Sequence, residues 1–358
     1  MTYMADNAPS LPALVIPASG SWYGNDGSWS AFTISVGTPP QNFSVLPATN
    51  GQNTWIPIAD DCKMLNITDC GSERGVLPFN NSPSPGFQSN FSTTWELIGL
   101  YRLGQNNFLG YIGNGVSGYD TVGFVSNNIT QTLQIKHQAV TAYATSSFWL
   151  GQIGLGKRGM NFRQNERPES FLTNLKDAKI IPSLSYGFTA GASYRSTKVP
   201  ASLTLGGYDE ARAGAVLKVP LNEDDDRPLS VVLQGVVASN SFNGTVSLSH
   251  GDSAIVLPVD SSIPDLWLPQ SLCDRFADVF SLQYNSQTNR YLLSSDTRSR
   301  LQELSPVFTF TIGTQVAEGT TITIQIPYAS MDLQASIPIF AESYDEYDFY
   351  KRVTGIFG

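Results

Sequence analysis

One short pattern occurs twice in this 358-residue chain. The first copy reads Val45-Leu46-Pro47-Ala48-Thr49-Asn50-Gly51-Gln52-Asn53-Thr54-Trp55-Ile56-Pro57. The second reads Leu257-Pro258-Val259-Asp260-Ser261-Ser262-Ile263-Pro264-Asp265-Leu266-Trp267-Leu268-Pro269. A shift of 212 positions (267 minus 55) sets Trp on Trp, Pro57 on Pro269 and Ala48 on Asp260. Stacked-repeat architectures recur every 20–50 residues or so, which is far too short a period for these two copies. The spacing points instead to two similar lobes facing each other. The copies differ in one respect that bears on chemistry: one carries a carboxylate and the other a methyl group.

An apolar strand, then a short Asp-Ser/Thr motif, then Trp seven residues on, once per lobe, resembles the pepsin-like aspartic peptidases. Phe32-Thr33-Ile34-Ser35-Val36-Gly37-Thr38-Pro39-Pro40-Gln41 resembles that family's opening strand and turn. Ser202-Leu203-Thr204-Leu205-Gly206-Gly207-Tyr208-Asp209 resembles its middle signature, and the stretch from Trp149 to Gly156 resembles the Gly-rich segment closing its first lobe. The likeness runs from about Trp22 to the end and has the flavour of a divergent fungal branch with a degenerate dyad. It implies an all-β, bilobed fold with a few short helices. It also implies a cleft for an extended peptide or protein, and no cofactor.

In that family two carboxylates share one proton, because two like charges so close cannot both ionise. One acts as base toward a water while the other donates a proton to the carbonyl. The resemblance places Asp260 at one of the two positions and Ala48 at the other. A methyl group neither holds the water nor moves the proton. Asn50 and Ser262 stand where the family has Gly, which lets two backbones approach closely. The expectation is a peptidase homologue without peptidase activity that keeps its cleft for binding. One alternative is an endopeptidase that retains activity through Asp260 and a substitute acid. Asp60, Asp61 and Asp265 are the neighbouring carboxylates, each read as an exposed turn residue. Two further alternatives are a cleft redirected to small-metabolite chemistry and a non-functional truncated product. Tyr111 is the candidate for the family's flap tyrosine, or else a packing residue.

Composition narrows the class. Hydrophobic residues at 41% supply ample core, while charged residues at 14% fall below the ~25% of an average globular chain. The net charge of −9 argues against a nucleic-acid binder and against docking on anionic membranes, and reads as solubility. No stretch approaches the ~18 apolar residues of a membrane span. Six Asn-x-Ser/Thr sequons, at Asn42, Asn66, Asn80, Asn90, Asn128 and Asn243, favour a glycosylated, secreted or cell-surface monomer. Asn42 lies beside an expected strand and is the one that stays unmodified. The resemblance implies a small disulfide loop from Cys62 to Cys70. Cys273 is then an odd thiol, free or paired outside the chain.

Other signals are excluded. Gly154-Leu155-Gly156-Lys157-Arg158-Gly159 meets a dinucleotide-type Gly pattern, but no helix is expected directly after it. The near phosphate loop from Gly151 has Arg158 where Ser or Thr is required. His137 and His250 are too few and too isolated for a metal site, and no metal is expected.

Along the chain, residues 1–20 read as a tail, 21–215 as the N-terminal lobe and 216–358 as an incomplete C-terminal lobe. Residues 168–178 and 271–280 read as helices, and the remainder to residue 328 as strand and turn. Residues 342–350 read as a solvated turn. Residues 1–10 lack the basic and apolar segments of a signal peptide. The closing Thr354-Gly355-Ile356-Phe357-Gly358 resembles a second-lobe signature after which the family has further strands, so those strands are expected to be missing.

Overall fold

From Trp29 the strands build one sheet, and their inward residues leave almost no exposed apolar surface. Phe32, Ile34, Val36, Val45 and Ile56 are all fully buried. The computed structural model describes residues 11–60, 62, 67, 69–103, 113–125, 133–145, 148–162, 166–221, 229–249, 254–262, 266–285, 290–314, 319–334 and 347–348.

The first lobe is an eight-stranded sheet. Its order is Ala18–Tyr23, Trp29–Val36, Gln41–Ala48, Gly151–Gly154, Thr54–Pro57, Leu133–Tyr143, Asn114–Phe124, Glu96–Arg102. An additional pairing of Trp29–Val36 with Asn114–Phe124, in register Ile34 to Phe124, curls the sheet toward a barrel. The strand Gln41–Ala48 runs parallel to Gly151–Gly154, with Ala48 opposite Gly154. That pairing needs glycine. A Cβ on Gly154 would lie 2.7 Å from the Gly51 carbonyl oxygen, and one on Gly51 would lie 2.7 Å from the Ala48 Cβ. The core of this lobe extends from Ile16 to Leu205.

The second lobe is a five-stranded sheet in which Ser230–Ser241 pairs with Gly244–Ser247, Ile255–Pro258 and Val307–Gly313, and the last of these with Thr321–Pro327. Its core is separate and aromatic. Phe276, Phe280 and Phe308 are fully buried and meet ring to ring, with Phe280 and Phe308 centroids 5.4 Å apart. A third sheet joins Leu14–Ile16, Ser202–Leu205 and Tyr186–Thr189.

The fold is mostly strand with a few short helices, as expected of an all-β chain. Phe171–Asp177 forms a helix whose Ser170 side chain accepts from the Thr173 N–H, and it buries Phe171, Leu172 and Leu175 on one face. Gln270–Phe280 buries Leu272, Phe276 and Phe280.

Three expectations are corrected. The tail over residues 1–20 ends earlier, because Leu14–Ile16 pairs with Ser202–Leu205 and Ile16 packs into the first core. The stretch before residue 328 holds a helix, Ser295–Leu304, capped by the Ser294 hydroxyl. It buries Leu301 alone, so its sequence shows little apolar periodicity to announce it. Within residues 342–350, Tyr347–Asp348 is a strand between Arg290–Leu293 and Leu333–Gln334. The C-terminal signature at 354–358 lies outside the described residues, as does the whole region 349–358. No helix among the described residues is long and apolar enough to cross a membrane.

Candidate active site at the junction of the two repeats

The two copies of the repeat meet. Each ends a strand and then turns, so each presents backbone groups that its own sheet cannot pair. The lobes satisfy them reciprocally. The Thr49 N–H donates to Ser261 Oγ at 3.0 Å, and the Ser261 N–H donates to Thr49 Oγ1 at 3.0 Å. Ser261 Oγ donates to the Pro47 carbonyl at 2.6 Å, and Thr49 Oγ1 donates to the Val259 carbonyl at 3.3 Å. Both residues are equivalent members of the repeat, so the contact is two-fold in character. Ala48 and Asp260, the residues immediately before them, are thereby brought to the junction from opposite lobes.

The surroundings of the two are unlike. Ala48 is completely buried, and its carbonyl accepts from the N–H groups of Gly51 at 3.0 Å and Leu155 at 2.9 Å. Asp260 is half-buried. Its Oδ1 accepts from the Ser262 N–H at 2.8 Å and the Ser262 hydroxyl at 2.6 Å. Ser262 therefore acts as a ligand to the carboxylate. Asn50, at the corresponding position of the first copy, donates from Nδ2 to the Val259 carbonyl at 3.3 Å. Asn50 and Ser262 thus each add a side-chain hydrogen bond at the junction. The glycines that permit close approach are Gly51 and Gly154 instead.

Two further residues belong to the junction. Gln152 donates from Nε2 to the Ser262 carbonyl at 3.0 Å. Its one sequence signal is that it is the polar residue in an otherwise apolar Gly-rich strand. Tyr186 comes from the third sheet, and its phenol donates to the Thr49 carbonyl at 3.5 Å. Burial, and then the charge of Asp260, pushes that phenol well above its ordinary range, so it is a neutral donor.

Asp60 is exposed, and Asp61 and Asp265 lie outside the described residues. Asp120, a buried carboxylate of the first lobe, is bound by Ser92 Oγ at 3.1 Å, Thr94 Oγ1 at 2.6 Å and the Thr121 N–H at 2.8 Å, within its own lobe. Among the described residues no group of three or more His, Cys, Asp or Glu is placed to hold a metal ion. His137 stacks on Tyr119 with centroids 3.8 Å apart, and His250 lies outside the described residues. Tyr111 also lies outside them.

Cys62 and Cys70 form a disulfide, with Cα atoms 5.5 Å apart. Cys273 is in no disulfide; its thiol donates to the Leu268 carbonyl at 3.4 Å, and burial above all pushes it up to about 11. Asn80, Asn90 and Asn243 are exposed, and Asn42 sits inside the strand Gln41–Ala48, paired with Ser35. Asn66 and Asn128 lie outside the described residues.

A family model described as eukaryotic aspartyl protease matches residues 31–337. Among curated proteins, the chain is 24% identical over 266 residues to secreted aspartic protease 1 of Candida albicans, covering 72% of this chain and 59% of that one. It is 25% identical over 286 residues to barrierpepsin of Saccharomyces cerevisiae, covering 74% and 47% respectively. It is 25% identical over 290 residues to pepsin B of Canis lupus familiaris, covering 77% and 67%. The chain thus spans about half to three-fifths of the length of the first two relatives. Two facing copies of one motif, a reciprocal hydrogen-bonded junction between them and a family match across most of the chain have one conclusion: this chain belongs to the eukaryotic aspartyl protease family.

Proposed function

We propose that this chain is a pepsin-like homologue without peptidase chemistry, whose interlobe cleft binds an extended peptide or protein. The observation that carries the reading is the pairing at the junction. Thr49 and Ser261 grip each other, Asp260 precedes one and Ala48 precedes the other. Proton transfer at a carbonyl by a shared-proton pair needs two carboxylates at one point. A single positioned acid–base group typically contributes about 10²–10⁴-fold in rate, and groups that act as a unit do not retain half their effect when one is removed. The hydrogen bonds from Ser262 to Asp260 support a carboxylate kept for structure.

The rest of the reading follows from this one. The chain divides into two lobes near residue 215 and acts as a monomer outside the cell. Its glycans sit on exposed sequons, and it has no nucleic-acid partner. The secreted relatives and the exposed Asn80, Asn90 and Asn243 support the extracellular placement.

The test is cleavage of an unstructured protein between pH 3 and 7, with and without a pepstatin-type transition-state analogue. A folded protein that leaves the substrate intact at every pH is the expected result. Cleavage that the analogue blocks, and that Asp260→Ala abolishes, overturns the reading and means that a second acid has been recruited.

A further inference from the structure

The hairpin turn between Ala18–Tyr23 and Trp29–Val36, the helix Cys70–Glu73 and Trp149 surround an open cavity of about 360 Å³ on the first lobe. It shares no residue with the junction of the two repeats. Trp22, Tyr23 and Trp149, all half-buried, are its aromatic walls, and Asn25, Ser28 and Glu73 are polar groups that line it.

These walls are held from behind. Tyr23 pairs with Trp29 across the hairpin, and its phenol oxygen accepts from the Ser44 hydroxyl at 3.2 Å. Trp29 Nε1 donates to the buried Asp26 carboxylate at 2.8 Å, and the Asp26 carbonyl accepts from the Gln334 N–H of the second lobe at 2.9 Å, which pins the turn at both ends. Trp149 Nε1 donates to the Glu73 carbonyl at 3.1 Å, and the Trp149 carbonyl accepts from Arg74 Nε at 3.1 Å. A cavity whose walls are fixed in advance loses little order on binding.

The lining excludes three classes of ligand. Among the described residues no cationic side chain lines it, and Glu73 carries a negative charge, so a phosphate, sulfate or carboxylate meets repulsion and no partner. A cation is drawn to an indole face, but both indoles already have one. The Lys198 ammonium lies 5.3 Å from the Trp22 ring and the Arg74 guanidinium 5.7 Å from the Trp149 ring, and neither residue lines the cavity. A cationic ligand would face two like charges beyond the rings. A purely apolar ligand would take the Glu73 carboxylate and the Asn25 amide out of water with nothing in return.

What remains is a neutral molecule with a flat apolar face and hydroxyl groups around its edge. Tryptophan and tyrosine rings offer broad apolar surfaces to the first. The hydroxyls are met by Glu73, which accepts only, and by Asn25 and Ser28, which both donate and accept. None of these three side chains has a hydrogen-bond or ion-pair partner among the described residues. A pyranose sugar has both features at once, since its ring C–H groups form an apolar face and its hydroxyls surround it.

We propose that this cavity is a binding site for a neutral pyranose sugar, stacked on the indole walls and held at its hydroxyls by Glu73, Asn25 and Ser28. The site is independent of the cleft reading above.

The experiment titrates the full chain with the methyl glycosides of glucose, galactose, mannose and N-acetylglucosamine, read from the indole N–H signals of the nitrogen-15-labelled protein. Trp22→Ala and Trp149→Phe assign the signals. At least one glycoside is expected to shift the Trp22 and Trp149 signals, with a dissociation constant on the order of 1–10 mM for a ligand of this size. Glu73→Ala and Trp22→Ala are each expected to weaken that binding about tenfold, as for one charge-assisted hydrogen bond or one stacking surface. Asp260→Asn is expected to leave it unchanged. The β-linked disaccharide of the bound sugar distinguishes the sources: tighter binding than the glycoside assigns the site to a glycan chain, and equal binding assigns it to a single sugar unit. No shift from any glycoside up to about 100 mM, tenfold above that range, overturns the proposal. Sorbitol binding as well as the glycosides overturns the stacked ring, because it has the hydroxyls without the face. Shifts from tetramethylammonium alone overturn the sugar in favour of a cation. Binding that Glu73→Ala, with its exposed side chain and native fold, leaves unchanged places the sugar elsewhere and overturns the site.

Discussion

Thr49 and Ser261 hold each other by two hydrogen bonds of 3.0 Å, each N–H donating to the other's hydroxyl oxygen, across 212 residues of sequence. Each hydroxyl also reaches back to a carbonyl just before the other residue, Pro47 in one copy and Val259 in the other. Removal of either hydroxyl leaves a partly buried N–H and carbonyl without their partners. Ser261→Ala and Thr49→Val are each expected to lower unfolding stability by about 2 kcal/mol, from the cost of stranded polar groups. The double variant is expected to lose less than the sum, with a coupling of roughly 1 kcal/mol. Urea unfolding of the four proteins measures it. Strict additivity would mean that the lobes are not held at this point.

Ala48→Asp places a second carboxylate, at a fully buried position, in the same junction as Asp260. Two like charges in one site raise the proton affinity of the pair, so its folded-state pKa exceeds the unfolded value of about 4. A raised pKa contributes stability below the unfolded value that is lost as pH rises through the folded one. The penalty of Ala48→Asp relative to the unaltered chain is therefore expected to be larger at pH 7 than at pH 4. The difference is expected to shrink in Ala48→Asp with Asp260→Asn, to the part that burial of the new carboxylate causes by itself. A pH dependence that Asp260→Asn leaves unchanged shows that positions 48 and 260 do not face each other.

Arg74 is 1% exposed. It donates from Nε to the Trp149 carbonyl at 3.1 Å and from Nη2 to the Thr145 and Phe148 carbonyls at 3.2 and 3.3 Å. Arg74→Met keeps the apolar stem and strands these carbonyls, with an expected loss of about 3 kcal/mol or more. Arg74→Lys is expected to recover little of it, because an ammonium cannot present the planar fork that reaches several carbonyls at once. Chemical unfolding reports the loss, and near-ultraviolet circular dichroism reports the Tyr143 and Trp149 rings beside the guanidinium.

The Tyr119 phenol donates to Glu166 Oε2 at 2.9 Å. Burial first, then that hydrogen bond and the Glu166 charge, push it up to about 12 from 10.0. The folded state holds this proton more tightly than the unfolded chain does. Its contribution is therefore complete below pH 10 and is lost as pH rises toward 12. The stability difference between the unaltered chain and Tyr119→Phe is expected to hold from pH 7 to 9 and to shrink between pH 10 and 12. A difference independent of pH across that range removes the phenol from the account.

Much of this was legible in the chain itself. The repeat pattern determined that there are two lobes and which residues stand in equivalent places, because a motif carried twice folds twice. Apolar residues alternating with polar ones from Trp22 to Pro57 read as half-buried strands, and strands are there, but Trp29–Val36 and Gln41–Ala48 are buried on both faces; the spacing of Phe171, Leu172 and Leu175 determined a helix. The same logic failed on Ser295–Leu304, where a mostly polar helix is fixed by its cap and by one buried leucine. Tertiary structure alone decided the partners. Tyr186 and Arg74 belong to no motif, Gln152 sits in the Gly-rich segment without a signal of its contact, and their roles come from carbonyls and a carboxylate that folding brings within reach. The packing of Trp267, from the second lobe, against Trp55, Leu103, Tyr143 and Phe148 of the first is of the same kind. Sequence periodicity reports which side of an element is apolar, since that depends on neighbours along the chain. It does not report which distant surface that side will meet, since that is settled only when the two lobes pack and every stranded donor must find an acceptor.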